Sequence, residues 1–222
     1  MQRETLLKWI HTGFNTLSNF KVEGAEYIPT SGPIILVTNH ISRLDYPTLL
    51  MCTQRKDVIA MVATKYREKA FFRWLLETLK VIWIERETSD FNAFREAVDY
   101  LHRGWIVGIS PEGTRSKDGK LLPGKPGAAL LVRKTGLPLL PSSISGTADM
   151  TERLTHFKKM DVLVKFGKPF QIATPSSQEE AKDWLSDATD EIMCRIAALL
   201  PPERRGVYAD HPRLNAILAE TN

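Results

Sequence analysis

Six short apolar runs punctuate this chain: Ile34–Thr38, Val58–Thr64, Val81–Ile84, Trp105–Ile109, Leu139–Ile144 and Val162–Phe166. Most are apolar at nearly every position, with Ser142 and Ser143 the main interruption, and lack the alternation of a strand that keeps one face in water. Such runs read as strands buried on both sides. Between them the spacing turns helical. Phe71–Leu79 is apolar on most faces, and Phe91, Phe94, Val98 and Leu101 recur at helical intervals behind a candidate cap at Ser89 or Asp90. Thr48–Cys52 and Ala128–Lys134 are shorter helical stretches. Strands alternating with helices predict an α/β fold with a mostly parallel central sheet flanked by helices.

Two further segments frame this core. Residues 1–20 carry Leu6, Ile10, Phe14 and Leu17 on one helical stripe, which predicts an amphipathic helix. Trp9, Phe14 and Phe20 beside Lys8 and Lys21 suit an interfacial helix lying on lipid, while the stripe equally suits a helix docked on its own domain. From about Gln178 to Leu199 a second stripe runs through Ala181, Trp184, Leu185, Ala188, Ile192, Ile196 and Leu199. Ser176 and Ser177 ahead of Glu179 and Glu180 give it capping-box spacing, and Pro201-Pro202 stops it. The tail from Glu203 to Asn222 either docks or frays. With no repeat and no linker-like stretch, residues 1–222 read as a single domain: the helix at 1–20, a core at 24–170 and a C-terminal helix at 176–200.

Composition removes several classes. Hydrophobic residues make up 43% and charged residues 25% of the 222, which excludes disorder as the main state. Two cysteines, Cys52 and Cys194, build neither a disulfide scaffold nor a four-ligand zinc site, and the five histidines form no ligand cluster by spacing, so no metal is expected. A net charge of +4 and a pI near 9.0 suit an anionic substrate or membrane surface better than nucleic acid, which is not expected as a partner. No run approaches the roughly 18 apolar residues of a membrane-spanning helix, and the charged N-terminus does not read as a signal peptide.

Two loops carry the chemistry. In Thr38-Asn39-His40-Ile41-Ser42-Arg43-Leu44-Asp45-Tyr46-Pro47 a buried strand ends at Thr38 and a helix is expected to begin near Pro47. His40 and Asp45 thus fall in the loop at the carboxyl end of a strand, where open α/β sheets bind ligands. A turn can fold the carboxylate back onto the imidazole, fixing its tautomer and leaving the other ring nitrogen basic. In Ser110-Pro111-Glu112-Gly113-Thr114-Arg115-Ser116, after the strand Trp105–Ile109, Gly113 permits close backbone approach and Arg115 offers a fork matching phosphate. Each loop read alone also suits an ordinary polar turn.

Together these stretches resemble the glycerolipid acyltransferase family, whose best-known members are the lysophosphatidate (1-acylglycerol-3-phosphate) acyltransferases. The family's His-four residues-Asp block is His40 and Asp45, preceded by Asn39; its Pro-Glu-Gly-Thr-Arg-Ser block is Pro111–Ser116. The block that usually reads Gly, two residues, Phe-Ile-Asp-Arg is here Lys80-Val81-Ile82-Trp83-Ile84-Glu85-Arg86, with lysine in place of the glycine. A fourth block appears as Gly136–Pro141, after Lys125-Pro126-Gly127-Ala128. The likeness spans about residues 24–170.

The resemblance implies that an acyl thioester, on coenzyme A or acyl carrier protein, meets the free hydroxyl of lysophosphatidate and gives phosphatidate. The same machinery serves other acceptors: glycerol 3-phosphate, another lysophospholipid or a lyso-aminolipid. A non-catalytic lipid-binding protein is the rival of a different class. The family's chemistry gives His40 the role of general base and Asp45 that of its orienter, with Arg86 and Arg115 on the acceptor phosphate and Glu112, Gly113 and Thr114 shaping that pocket. No cofactor is implied beyond the thioester co-substrate. Lysophospholipid and membrane lipids are the implied partners, and the implied location is cytoplasmic, peripheral on the inner face of the membrane. Lys65–Leu76, which mixes cations with aromatic and aliphatic residues, reads as an interfacial segment or as a partly buried helix with a solvated basic end.

Overall fold

The computed structural model describes residues 2–85, 90–148, 156, 158–175 and 180–221. Their strands are β1 (Ser18–Glu23), β2 (Ile34–Thr38), β3 (Val58–Ala63), β4 (Val81–Ile84), β5 (Ile106–Ile109), β6 (Leu139–Ser145) and β7 (Met160–Phe166). The helices are α1 (Arg3–Leu17), α2 (Asp45–Met51), α3 (Ala70–Leu79), α4 (Phe91–His102), α5 (Gly127–Thr135), α6 (Glu180–Ala198) and α7 (Pro212–Thr221). The strands form one sheet in the order β1-β7-β6-β2-β5-β3-β4. Every described pairing is parallel except β6 with β7, which is antiparallel. The expected mostly parallel sheet flanked by helices is therefore present.

Strand β2 lies at the centre, and all five of its residues are buried. Period-two alternation divides them between two cores. Ile35 and Val37 face a cluster with Ala97 and Leu101 of α4, Leu131 of α5, Ile192 of α6 and Leu214 of α7. Ile34 and Leu36 face a second cluster with Leu6 of α1, Leu49 and Leu50 of α2 and Leu79 of α3. Ala188, Ile192 and Ile196 of the C-terminal stripe are core, and the tail docks through Leu214 and Ile217. Asp90 caps α4 by accepting from Ala93 N–H at 2.9 Å. The alternative cap Ser89, and the capping box at Ser176, Ser177 and Glu179, lie outside the described residues.

Two boundaries differ from the sequence reading. The N-terminal helix does not reach residue 20: it ends at Leu17, and Ser18–Glu23 join the sheet beside β7. Ser18 Oγ donates to Phe14 O at 2.6 Å and closes the last turn. Helix α2 begins at Asp45, ahead of Pro47.

Candidate active site

Four strands deliver loops to one end of the sheet. β2 runs into Asn39-His40, β5 into Ser110–Ser116, β6 into Gly146-Thr147 and β4 into Glu85. All four are mutually parallel in the sheet, so their carboxyl ends converge, the usual binding edge of an open α/β fold.

Asp45 opens α2 and turns back over the loop. Its Oδ2 accepts from His40 Nδ1 at 2.7 Å and from the Ile41 and Ser42 backbone N–H groups, both at 2.9 Å. Its Oδ1 accepts from Thr147 Oγ1 at 3.1 Å. An ionised carboxylate only accepts, so Nδ1 is the donor and Nε2 keeps its lone pair. The side chains are 16% and 5% exposed, so the pair is largely screened from water. The expected folding of Asp45 onto His40 is what the loop does.

The loop is held from three sides. Asn39 is 2% exposed and behaves like an added strand residue: its Nδ2 donates to Ile144 O at 2.9 Å and its Oδ1 accepts from Ile144 N at 2.8 Å. Ser116 N–H donates to His40 O at 2.8 Å. Glu112 Oε1 accepts from His40 N–H at 2.6 Å, while Oε2 accepts from Leu122 N–H at 2.9 Å. Burial pushes the Glu112 carboxyl up to about 7, although both backbone bonds pull it down; the Asp45 charge adds to the rise.

A cavity of about 930 Å³ opens beside His40. Its polar end is lined by His40, Asp45, Arg43, Arg115, Lys125 and Thr147; its apolar part includes Leu36, Leu49, Val58, Phe72, Leu75 and Leu76. It therefore lies between the sheet and helices α2 and α3.

The site residues expected from sequence fall into three groups. His40, Asp45, Gly113 and Arg115 line the cavity. Gly113 has φ +66°, and a Cβ there would come within 2.8 Å of the Lys125 side chain, so the position favours glycine. Glu112 and Thr114 do not line it: Glu112 is 2% exposed and shapes the site from behind, through backbone N–H groups, and Thr114 is exposed. Arg86 lies outside the described residues. Lys125, Thr147 and the tethering role of Asn39 were not assigned from sequence. Lys125-Pro126-Gly127 stood next to a family block and was the available signal for the first; Thr147, more than one hundred residues from Asp45, gave none.

The family model for acyltransferases matches residues 19–145, more than half of the chain. The chain belongs to the acyltransferase family. It is similar to a chloroplastic 1-acyl-sn-glycerol-3-phosphate acyltransferase of Brassica napus, 34% identical over 57% of this chain and 37% of that protein. It is also similar to the 1-acyl-sn-glycerol-3-phosphate acyltransferase of Bacillus subtilis, 24% identical over 81% and 87% of the two chains. The crystal structure of the 1-acyl-sn-glycerophosphate acyltransferase PlsC from Thermotoga maritima superposes with a TM-score of 0.61 at 28% identity, covering 84% of this chain and 76% of that one. The chain spans well under half the length of two chloroplastic relatives it matches, from Brassica napus and Arabidopsis thaliana. The acyltransferase match embraces β1 to β6, and so both loops and the strand ends that carry them.

At Lys80, where this chain departs from the family's glycine, the backbone has φ +64°. With ψ 114° it lies outside the left-handed helical well, in a sparsely populated region that costs roughly 1–3 kcal/mol. Tyr46 Oη donates to Lys80 O at 2.7 Å, tying the turn to α2.

Proposed function

We propose that this protein transfers a fatty acyl group from an acyl thioester, on coenzyme A or acyl carrier protein, to the free hydroxyl of lysophosphatidate, forming phosphatidate. The observation that carries this reading is the His40–Asp45 pair at the polar end of a cavity whose wall is otherwise mostly apolar. A volume of about 930 Å³ is at the upper end of small-ligand pockets. The apolar part suits the acyl chain, and Arg115 and Lys125 suit the acceptor phosphate.

In this reading the acceptor hydroxyl gives its proton to His40 Nε2 as its oxygen attacks the thioester carbonyl carbon. Asp45 holds the ring and stabilises the imidazolium. The tetrahedral species then expels the thiolate, which takes the proton back from His40. The order is direct transfer, without an acyl-enzyme. Burial pushes both thiols, Cys52 and Cys194, up to about 12, so neither supplies a thiolate at neutral pH. Cys194 does lie 3.5 Å from His211 Nδ1, with Asp190 beyond, but it is fully buried and not among the residues lining the cavity.

The acceptor reaches the site from a membrane surface. Among the described residues no helix is long and apolar enough to cross a bilayer. Trp9 on α1 and Phe71 and Trp74 on α3 are 70%, 65% and 41% exposed. Phe71 and Phe72 also line the cavity, and Lys65, Arg67, Lys69 and Arg73 flank them along the chain. Exposed aromatics in a cation-rich segment suit the interface of an anionic bilayer, on the cytoplasmic side if the thioester donor is drawn from there.

The deciding experiment incubates the pure protein with labelled acyl-CoA or acyl carrier protein and a panel of lysolipids, identifying the product by mass. Acylation of lysophosphatidate above the other acceptors is expected. His40→Ala should lower turnover by about 10²–10⁴-fold with an unchanged circular dichroism spectrum. Turnover by that variant near the wild-type rate would remove the base assignment.

A further inference from the structure

We propose that the Thr38 hydroxyl is a substrate-contacting catalytic group, donating a hydrogen bond to the thioester carbonyl oxygen as it becomes an oxyanion; this rests on the acyl-transfer reading above.

Thr38 ends β2, is 4% exposed and lines the cavity, yet its Oγ1 has no hydrogen-bond partner. A buried hydroxyl without a partner is costly and uncommon, and one facing a ligand cavity is the arrangement expected of a group that awaits its acceptor.

Its position along the strand fits that task. Leu36, Thr38 and His40 alternate on one face and all line the cavity. They grade from apolar wall to hydroxyl to imidazole. Two residues along an extended chain is about 6–7 Å. That interval accommodates an acyl carbonyl whose carbon is under attack from an oxygen on Nε2 and whose own oxygen points at Thr38.

Several backbone donors nearby are committed. The His40 N–H goes to Glu112, and the Ile41 and Ser42 N–H groups go to Asp45. Gly113 N–H goes to Ser110 O, Ser116 N–H to His40 O and Lys125 N–H to Pro111 O. An oxyanion pocket built from these backbone amides, the common arrangement, is therefore not on offer. Among cavity hydroxyls, Thr147 donates to Asp45 and Tyr46 to Lys80 O, and Ser42, Tyr66 and Ser110 are only half-buried, whereas Thr38 is buried. No proton moves at Thr38. The carbonyl π pair becomes the oxyanion lone pair, is held by the O–H, and returns to the carbonyl as the carbon–sulfur bond breaks.

The test compares wild type with Thr38→Val, which keeps the shape, and Thr38→Ser, which keeps the hydroxyl. Three readouts are taken: kcat and KM with lysophosphatidate, the carbonyl stretch of bound acyl-CoA carrying ¹³C at the thioester carbon, and Tm. For Thr38→Val the expectation is a kcat lower by about 10²-fold, KM values near wild type, and a Tm at or above wild type. The carbonyl stretch should move to lower frequency on binding to wild type and Thr38→Ser, but not to Thr38→Val. A wild-type kcat in Thr38→Val, or a carbonyl band that does not respond to the hydroxyl, overturns the proposal. So does a lowered Tm in Thr38→Val with activity that Thr38→Ser fails to restore, which is the signature of a structural hydroxyl. If wild type shifts the carbonyl but acylates no lysophosphatidate, the acceptor reading fails and Thr38 stands on the band it loses.

Discussion

Glu112 is placed between opposing demands. Two backbone N–H groups favour its charged form, while burial beside Asp45 favours the neutral one, and burial prevails in lifting the carboxyl from 4.5 to about 7. A raised folded pKa means that stability is full below the unfolded value and is lost as pH climbs through the folded one. The loss has a ceiling of about 3 kcal/mol, from 1.36 kcal/mol per pKa unit. Tm should therefore fall between pH 5 and pH 8, and Glu112→Gln should flatten that slope; a variant with the wild-type slope would assign the dependence elsewhere. The same residue shows what sequence conveys. His40 and Asp45 were legible because five residues and a turn bring them together. Glu112 was read as a pocket residue, but its partners are the N–H groups of His40 and Leu122, and only the folded chain reveals which way a buried carboxylate faces. Thr38 was read simply as the end of a strand.

At the scale of elements, buried strands were legible because apolar runs have few alternatives. β1 was not: Ser18–Glu23 alternates polar and apolar residues directly after a helix, with no turn signal to mark the change, and its pairing partner β7 begins at Met160. This alters how α1 is probed. Removing residues 1–20 would take the first half of an edge strand as well as the buried Leu6 and Phe14. Substitution on α3 is cleaner. Phe71→Ser with Trp74→Ser changes exposed rings that touch each other, with centroids 6.0 Å apart. Sedimentation with anionic vesicles should drop by about tenfold or more, since burying an aromatic side chain is worth about 1.5–3 kcal/mol, with Tm nearly unchanged. Binding equal to wild type would take α3 out of the membrane surface.

Across the whole molecule, the segment after α6 braces the loop that carries Glu112 and Arg115 from outside the family match. Arg204 Nη1 donates to Asp118 O at 2.6 Å, Leu121 N–H donates to Arg204 O at 3.0 Å, and Gly124 N–H donates to Tyr208 Oη at 2.9 Å. A Cβ on Gly206 would collide with the Leu121 backbone, so the two segments are in direct contact there. Leu122, between these ties, supplies the N–H that holds Glu112. Tyr208→Phe leaves the Gly124 N–H without its acceptor, which costs about 1–3 kcal/mol. Both Tm and kcat should fall; a fall in Tm alone would reduce the segment to a cover. The sequence left this tail undecided between docking and fraying because its short 3₁₀ turns at Pro202–Arg204 and Gly206–Tyr208 carry no periodicity.

That tie has a consequence for how the protein is made. Translation delivers Gly124 and Asp118 84 and 86 residues ahead of their partners Tyr208 and Arg204. A nascent chain on the ribosome can assemble its central strands and bring His40 to Asp45 while the loop beyond Arg115 still lacks its support. Support for that loop then arrives only after residues 204–208 have emerged from the exit tunnel.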